Sequence, residues 1–392
     1  MHRVVSLILA GGRVNELYPF TKYRPKSAVP FGGVYRIIDF PLSNLMHSRV
    51  STVGLLSQYR SSPLFKHILD GSSWDLSGKK RSLTLLPPFR GARETDWYDG
   101  TVDAVNQNLN FIRMANSEMV LILSGDHIYK MNYQDIIDYH VKKNADLTIG
   151  FIPIEPDQSY RFGVAQIDDE DGIIGGKMLE YHEKPEKKSF RWASMTIFVF
   201  NTNFLYQCLE RFIPLKRSTS TIEFGRDILP NLINNPGERD KIYGYKFKGY
   251  WAYTRTIKEY WQSNMDVLYQ RFIDLEFWQV RTNLQHRRID SRVPAIFKKG
   301  SSVKNSLICK GCIVRGKVEN SILSPGVEIG KGTEVYNSIV MFDSHIGDNV
   351  FLNNAILDVD VSILSGIEIG NQSNLDANSD DLYPISEGEK TD

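Results

Sequence analysis

Three short segments of this chain carry residue types able to handle a phosphate ester. In the first, an apolar run at residues 4–10 stops at Gly11-Gly12, and a basic loop with Lys22, Arg24 and Lys26 follows. Backbone amides of a Gly-Gly turn after a strand can hold phosphate oxygens, and nearby cations neutralise them. A Gly-Gly pair is more often only a turn, and the spacings of a P-loop or a dinucleotide fingerprint are absent. The second segment is SGDHIYK at 124–130, where Asp126 follows directly on an apolar run. A strand-end carboxylate suits Mg²⁺ when substrate phosphates and water complete the octahedron, yet an aspartate here also fits a plain turn or helix cap. His127 beside it reads as a solvent-facing turn residue rather than a base. The third is HEKP at 182–185, where Glu183 can accept sugar hydroxyls and Lys184 can pair with a phosphate. Adjacent charges before a proline are also a common exposed turn.

These segments need strands to aim them. Apolar strand patterns at 4–10, 50–57, 119–124, 146–153, 162–167 and 195–200 alternate with helical patterns at 39–48, 101–114, 133–142, 202–212 and 256–269. Such alternation predicts a mostly parallel sheet covered by helices, with ligands gathering beyond the strand ends, here after Ala10, Gln58 and Ser124.

Past a charged stretch near 270–295 helical periodicity ends. The tetrads NSLI, NSIL, NSIV and NAIL begin at Asn305, Asn320, Asn337 and Asn354, and a step of six links Ile329 to Val335, and Val340 to Ile346 to Leu352. Steps of six grouped into turns of about eighteen predict a parallel β-helix. The expected domains are therefore an α/β unit over 1–270, a linker over 271–295, a β-helix over 296–372 and a flexible acidic tail over 373–392.

Composition narrows the functional classes. With 47 Lys and Arg against 46 Asp and Glu, the net charge is +1, and no basic stripe is present for nucleic acid or anionic lipid. The run at 4–10 is too short for a membrane span and lacks a cleavage pattern, so neither export nor anchoring is expected and a cytoplasmic location fits. Cys309 and Cys312 form a lone C-x-x-C without partner ligands, and read as small apolar side chains of a β-rich segment.

Taken in order, AVPFGGVYRIIDFPLSN at 28–44, WYDGTVDAVNQN at 97–108, SGDHIYKM at 124–131, RFGVAQID at 161–168, HEKP, ASMTIFVFN at 193–201, EFGRDILP at 223–230 and GYW at 249–251 resemble the ADP-glucose pyrophosphorylase (glucose-1-phosphate adenylyltransferase) family over nearly the entire chain. The resemblance implies a Rossmann-like nucleotidyltransferase domain followed by a left-handed parallel β-helix, assembled as a tetramer. It also implies conversion of ATP and glucose 1-phosphate to ADP-glucose and diphosphate in glycogen or starch synthesis. By motif position, Gly11, Gly12, Gln58, Gly100 and Thr101 would contact nucleotide. Tyr98, Gly163, Glu183, Lys184 and Ser194 would hold glucose 1-phosphate. Asp126 would bind Mg²⁺, with Arg13 and Lys26 as catalytic cations. Lys22, Arg24 and Arg36 are the effector-site candidates.

The pattern breaks in two places. Where the family loop reads Gly-Gly-Arg-Gly-Thr-Arg-Leu, this chain carries Val14 for the second glycine and Glu16 for the closing arginine. Where the family reads Gly-Tyr-Trp-Arg-Asp-Val-Gly-Thr, Tyr253 stands for the partner metal ligand and Arg255 for the glycine. Ser27 for proline and Thr196 for glycine are milder changes. Read as two independent losses of charge neutralisation, Glu16 and Tyr253 predict a catalytically weakened regulatory subunit, in a homo- or hetero-tetramer with a catalytic homologue, with Mg²⁺ binding weakened. The alternatives are a fully active, homo-oligomeric adenylyltransferase drawing cations from Arg13, Lys22 or Arg255, and a repurposed sugar-phosphate or nucleotide binding protein.

Overall fold

A computed structural model describes residues 2–12, 15–88, 97–186, 190–215, 221–269, 273–370, 381–386 and 390–391. Arg13 and Val14 lie outside the described residues. A ten-stranded sheet organises the first domain, in the order Gly163–Ile167, Gly175–Glu183, Ile242–Lys246, Leu147–Pro153, Trp192–Asn201, Met119–Ser124, Val4–Leu9, Thr52–Leu56, Arg81–Leu86 and Ser77–Gly78. Val4–Leu9 runs parallel to both neighbours, with Leu9 opposite Leu56 on one side and Ser124 on the other. Successive residues of these strands face opposite cores: Val5, Leu7, Val120 and Ile122 pack on one face, Ile8, Leu121 and Leu123 on the other. Burial on both faces explains why the strands read as unbroken apolar runs.

The mostly parallel expectation holds around Val4–Leu9 and again where Ile242–Lys246 lies beside Leu147–Pro153. Trp192–Asn201 is antiparallel to both Met119–Ser124 and Leu147–Pro153, and Gly163–Ile167 with Gly175–Glu183 adds an antiparallel pair, so the sheet is mixed. The expected helix over 101–114 is two, Thr101–Gln107 and Leu109–Ala115, parted at Asn108. Asn132 and Asn201 cap Tyr133–Lys142 and Thr202–Phe212 by accepting from backbone amides. Thr256 and Glu259 form a reciprocal capping box that starts Ile257–Leu268 immediately after the Tyr253–Arg255 loop.

The second domain is a triangular coil whose three parallel sheets contain six, five and five strands. Its asparagines mark the corners: Asn305, Asn320, Asn337 and Asn354 all have φ between +42° and +54°. Asparagine tolerates this left-handed conformation better than other non-glycine residues. Each following serine hydroxyl accepts from the next rung, Ser306 from the Ser321 amide at 3.1 Å, Ser321 from Ser338 at 3.0 Å, and Ser338 from Ala355 at 3.0 Å. Ile329, Val335, Val340, Ile346 and Leu352 stack inside, with Cys309 and Cys312 buried in the same core.

Two boundaries need correction. Tyr383–Ile385 pairs with Ala355–Leu357, and Lys390–Thr391 with Ser362–Ile363, so part of the expected acidic tail completes the coil. Apolar Ile385, 8% exposed, gives that segment a core contact that the acidic composition concealed. The 271–295 stretch contains the short helix Leu275–Trp278, whose Trp278 joins an apolar cluster with Phe31, Phe40 and Tyr260 of the first domain and Ile339, Phe342 and Ile356 of the coil. One apolar cluster thus bridges the two domains.

Candidate active site

A cleft of about 830 Å³ opens beyond the carboxyl ends of Val4–Leu9, Thr52–Leu56 and Met119–Ser124. It gathers Gly11, Gly12, Lys26, Gln58, Tyr98, Gly100, Thr101, Asp126, Gly163, Glu183, Lys184, Ser194 and Tyr253, positions spread over more than 240 residues of chain.

Backbone approach shapes both halves. A Cβ on Gly11 would lie 2.8 Å from the Gln58 amide nitrogen, and one on Gly163 would fall on the Tyr181 hydroxyl, so only glycine fits at either position. Gln58 is tied to the neighbouring strand exit: its Oε1 accepts from the Tyr98 amide at 2.6 Å. The Tyr98 hydroxyl is already spent on the Leu86 carbonyl at 2.8 Å, and burial pushes its pKa up to about 12, so it serves as neutral wall rather than as an acid. Thr101 donates its backbone N–H at 3.0 Å and its hydroxyl at 2.6 Å to Glu223.

At the phosphate end, Lys26 donates from Nζ to Asp126 Oδ2 at 3.0 Å, while Ser124 donates to Oδ1. Burial alone would raise the Asp126 carboxyl; Lys26, His127 and the Ser124 hydroxyl outweigh it and hold the group well below the usual carboxylate range. Strand pairing delivers Tyr253 to the same spot, because Ala252 pairs with Ile128 and the next residue falls beside His127. The Tyr253 ring centroid lies 4.5 Å from Lys26 Nζ, its ring stacks on Trp251 at 14°, and it meets His127 edge-on at 4.8 Å. His127 is therefore buried, not solvent-facing as its turn context implied, and burial lowers its pKa to about 4, leaving it neutral. Burial followed by the Asp126 charge raises the Tyr253 phenol, so it offers no phenolate to a metal.

Glu16 and Arg255, which belong to the two separate breaks in the pattern, form one ion pair. Arg255 reaches Glu16 Oε1 from Nε at 3.0 Å and from Nη2 at 2.8 Å. The hydrogen bond from Arg255 holds the Glu16 carboxyl below its ordinary range. The reversed charge of the loop is cancelled locally, and Arg255 is not a spare cation for a ligand.

At the sugar end, Glu183 lies 3.9 Å from Lys184 Nζ and accepts from the Tyr181 hydroxyl at 3.1 Å; burial raises its pKa. Thr196 lines this end at φ +53°, a conformation unusual for a β-branched residue and consistent with a glycine-adapted bulge. Sequence reasoning assigned no role to Arg161, Tyr181, Glu223 or Arg226, which also line the cleft. The repeated charge–Phe–Gly grouping at Arg161–Gly163 and Glu223–Gly225 is the signal that could have found two of them.

The effector candidates divide. Arg24 and Arg36 are each 6% exposed at the domain seam, Arg24 bonding Asp358 at 2.5 Å and Arg36 meeting His286 Nδ1 at 3.0 Å. Burial, then the Arg24 charge, lowers the Arg36 guanidinium to about 9. Lys22 lies 5.0 Å over the Tyr23 ring.

Families of this kind generally use a divalent ion such as Mg²⁺. The residues here do not fit a two-carboxylate site: Asp126 is engaged through both oxygens, Tyr253 replaces the second carboxylate, and no cluster of three His, Cys, Asp or Glu suited to a metal occurs among the described residues.

Residues 5–270 match the Nucleotidyl transferase family and residues 294–388 the GlmU-like, C-terminal hexapeptide family. The chain is 39% identical over 388 residues to glucose-1-phosphate adenylyltransferase of Bacillus cytotoxicus, and 38% identical over 392 residues to the proteins of that name in Bacillus cereus and Bacillus anthracis, with 98% of both chains covered each time. No helix among the described residues is long and apolar enough to cross a membrane. With an open cleft at the strand ends, a hexapeptide coil behind it and this similarity from end to end, the chain belongs to the glucose-1-phosphate adenylyltransferase family.

Proposed function

We propose that this chain is a glucose-1-phosphate adenylyltransferase subunit, acting in glycogen synthesis, that retains sugar-phosphate binding and turns over weakly alone. It serves as the regulatory partner of a catalytic homologue in a cytoplasmic hetero-tetramer. The reaction the family name denotes joins ATP and glucose 1-phosphate to give ADP-glucose and diphosphate, and requires two polyanions to be brought together in line. The observation that carries the reading is the placement of the Tyr253 ring against Lys26 and Asp126, where the resemblance puts a metal-binding carboxylate.

In this reading Gly11, Gly12, Gln58 and Thr101 form the nucleotide wall. Glu183 accepts sugar hydroxyls, Lys184 and Ser194 meet the sugar phosphate, and Lys26 supplies the remaining positive charge. Arg24 and Arg36 sit at the seam between the domains, which suits an effector role for an anion that competes for them, while Lys22 lies nearby over Tyr23. The purified chain should release diphosphate from ATP and glucose 1-phosphate far more slowly than an active relative, and should alter that relative's activator response on mixing. Normal turnover by the chain alone overturns the reading. Full turnover would favour a fully active adenylyltransferase; Arg161 and Arg226 at the cleft wall, paired with Glu259 and Asp227, would then have to exchange those partners for phosphate.

A further inference from the structure

We infer that the Lys26 ammonium, held between the Asp126 carboxylate and the face of Tyr253, stands in the place of a divalent ion, so that this cleft binds a sugar phosphate without one. The inference rests on the reading that the sugar end is retained.

Both oxygens of Asp126 already receive donors, Lys26 on Oδ2 at 3.0 Å and Ser124 on Oδ1, with His127 Nε2 a further 3.4 Å from Oδ1. Magnesium demands near-ideal octahedral oxygen donors and dehydrates reluctantly. The opposite wall gives it none: Tyr253, stacked on Trp251, turns a ring face toward Lys26 at 4.5 Å. A ring face attracts an ammonium and is a poor substitute for a carboxylate toward a hydrated divalent ion. An ion entering at Asp126 must displace a lysine that is 3% exposed and whose salt bridge is to this same carboxylate. Lys26 has three donors and gives one to Asp126, leaving donors for a ligand oxygen in the cleft it lines.

The charge balance agrees. Among the described residues, the lysines and arginines lining the cleft are Lys26, Arg161, Lys184 and Arg226, against the carboxylates Asp126, Glu183 and Glu223, one positive charge in excess.

The test uses the full chain. Glucose 1-phosphate binding, followed by calorimetry, should be the same in EDTA and in millimolar Mg²⁺. Lys26→Met should lose binding in EDTA and recover it when Mg²⁺ is added, because the carboxylate is then open to an ion. Circular dichroism establishes that the variant is folded. In parallel, electron paramagnetic resonance should find no saturable Mn²⁺ site in the natural chain, while Tyr253→Asp should raise Mn²⁺ affinity by about tenfold or more. Mg²⁺-dependent binding by the natural chain, a saturable Mn²⁺ site that Asp126→Asn abolishes, or a Lys26→Met variant indifferent to Mg²⁺ each overturns the inference. So does a folded Tyr253→Asp protein with no gain in Mn²⁺ affinity. Absence of glucose 1-phosphate binding in both media instead removes the retained-sugar reading, and the Mn²⁺ titration, which needs no sugar, still decides where an ion can sit.

Discussion

The two ends of the cleft are built from different materials. The sugar end relies on backbone closeness and neighbouring groups: Gly163 against Tyr181, and Glu183 beside Lys184. The phosphate end relies on charges meeting across long stretches of sequence, Lys26 with Asp126 and Glu16 with Arg255, the latter 239 residues apart. Thr196 apart, substitution has fallen on the second kind. Opposite charges can be exchanged in pairs while the loops keep their course, whereas a glycine that a neighbouring hydroxyl would strike cannot be replaced.

The largest expected effect contrasts the two lysines. Lys26→Ala strips the partner from a largely buried carboxylate and should cost about 3 kcal/mol of stability in denaturant unfolding. Lys184→Ala, at a side chain 51% exposed, should stay within about 0.5 kcal/mol. Equal losses would erase the distinction between a charge-built and a backbone-built end. Next, Glu183→Gln should weaken glucose 1-phosphate by about 10- to 100-fold in calorimetry, the worth of a hydrogen bond to a charged acceptor; undiminished affinity would detach the sugar from this carboxylate.

The two ends should also answer pH with opposite sign. The Asp126 carboxyl is depressed, so its stabilisation is complete above the unfolded value of about 3.9 and is lost as pH falls through the folded value. Glu183 is raised, so its contribution favours the fold below about 4.3 and is lost as pH rises through the folded value. In melting curves taken across pH, Asp126→Asn should flatten the acid limb, and Glu183→Gln should raise stability at neutral pH. The same sign of change for both would contradict the contrast. The smallest effect is at Glu16 and Arg255: a double-mutant cycle should return about 0.2–1 kcal/mol, since both side chains are partly exposed, and a coupling near zero would make the pair incidental.

Much of the architecture was legible in the sequence because its signals are local. Doubly buried strands announce themselves as apolar runs, and the coil's asparagines recur because each occupies a left-handed corner. Strands such as Gly175–Glu183 and Ile242–Lys246 escaped notice because glycines and charges interrupt their alternation. The site was legible where a motif sits on one strand exit, as at Asp126 and Glu183. What stayed hidden was pairing at a distance: nothing near Glu16 announces Arg255, and nothing near Arg24 announces Asp358. For the same reason His127 could not be recognised as buried before Trp251 and Tyr253 were brought over it.

Arg24 and Lys26 are two residues apart, yet one is fastened to Asp358 of the coil and the other to Asp126 at the strand end. That tripeptide works as a crank with a pin at each end. Three residues of backbone therefore join a contact with the coil to a contact with the strand end that lines the cleft.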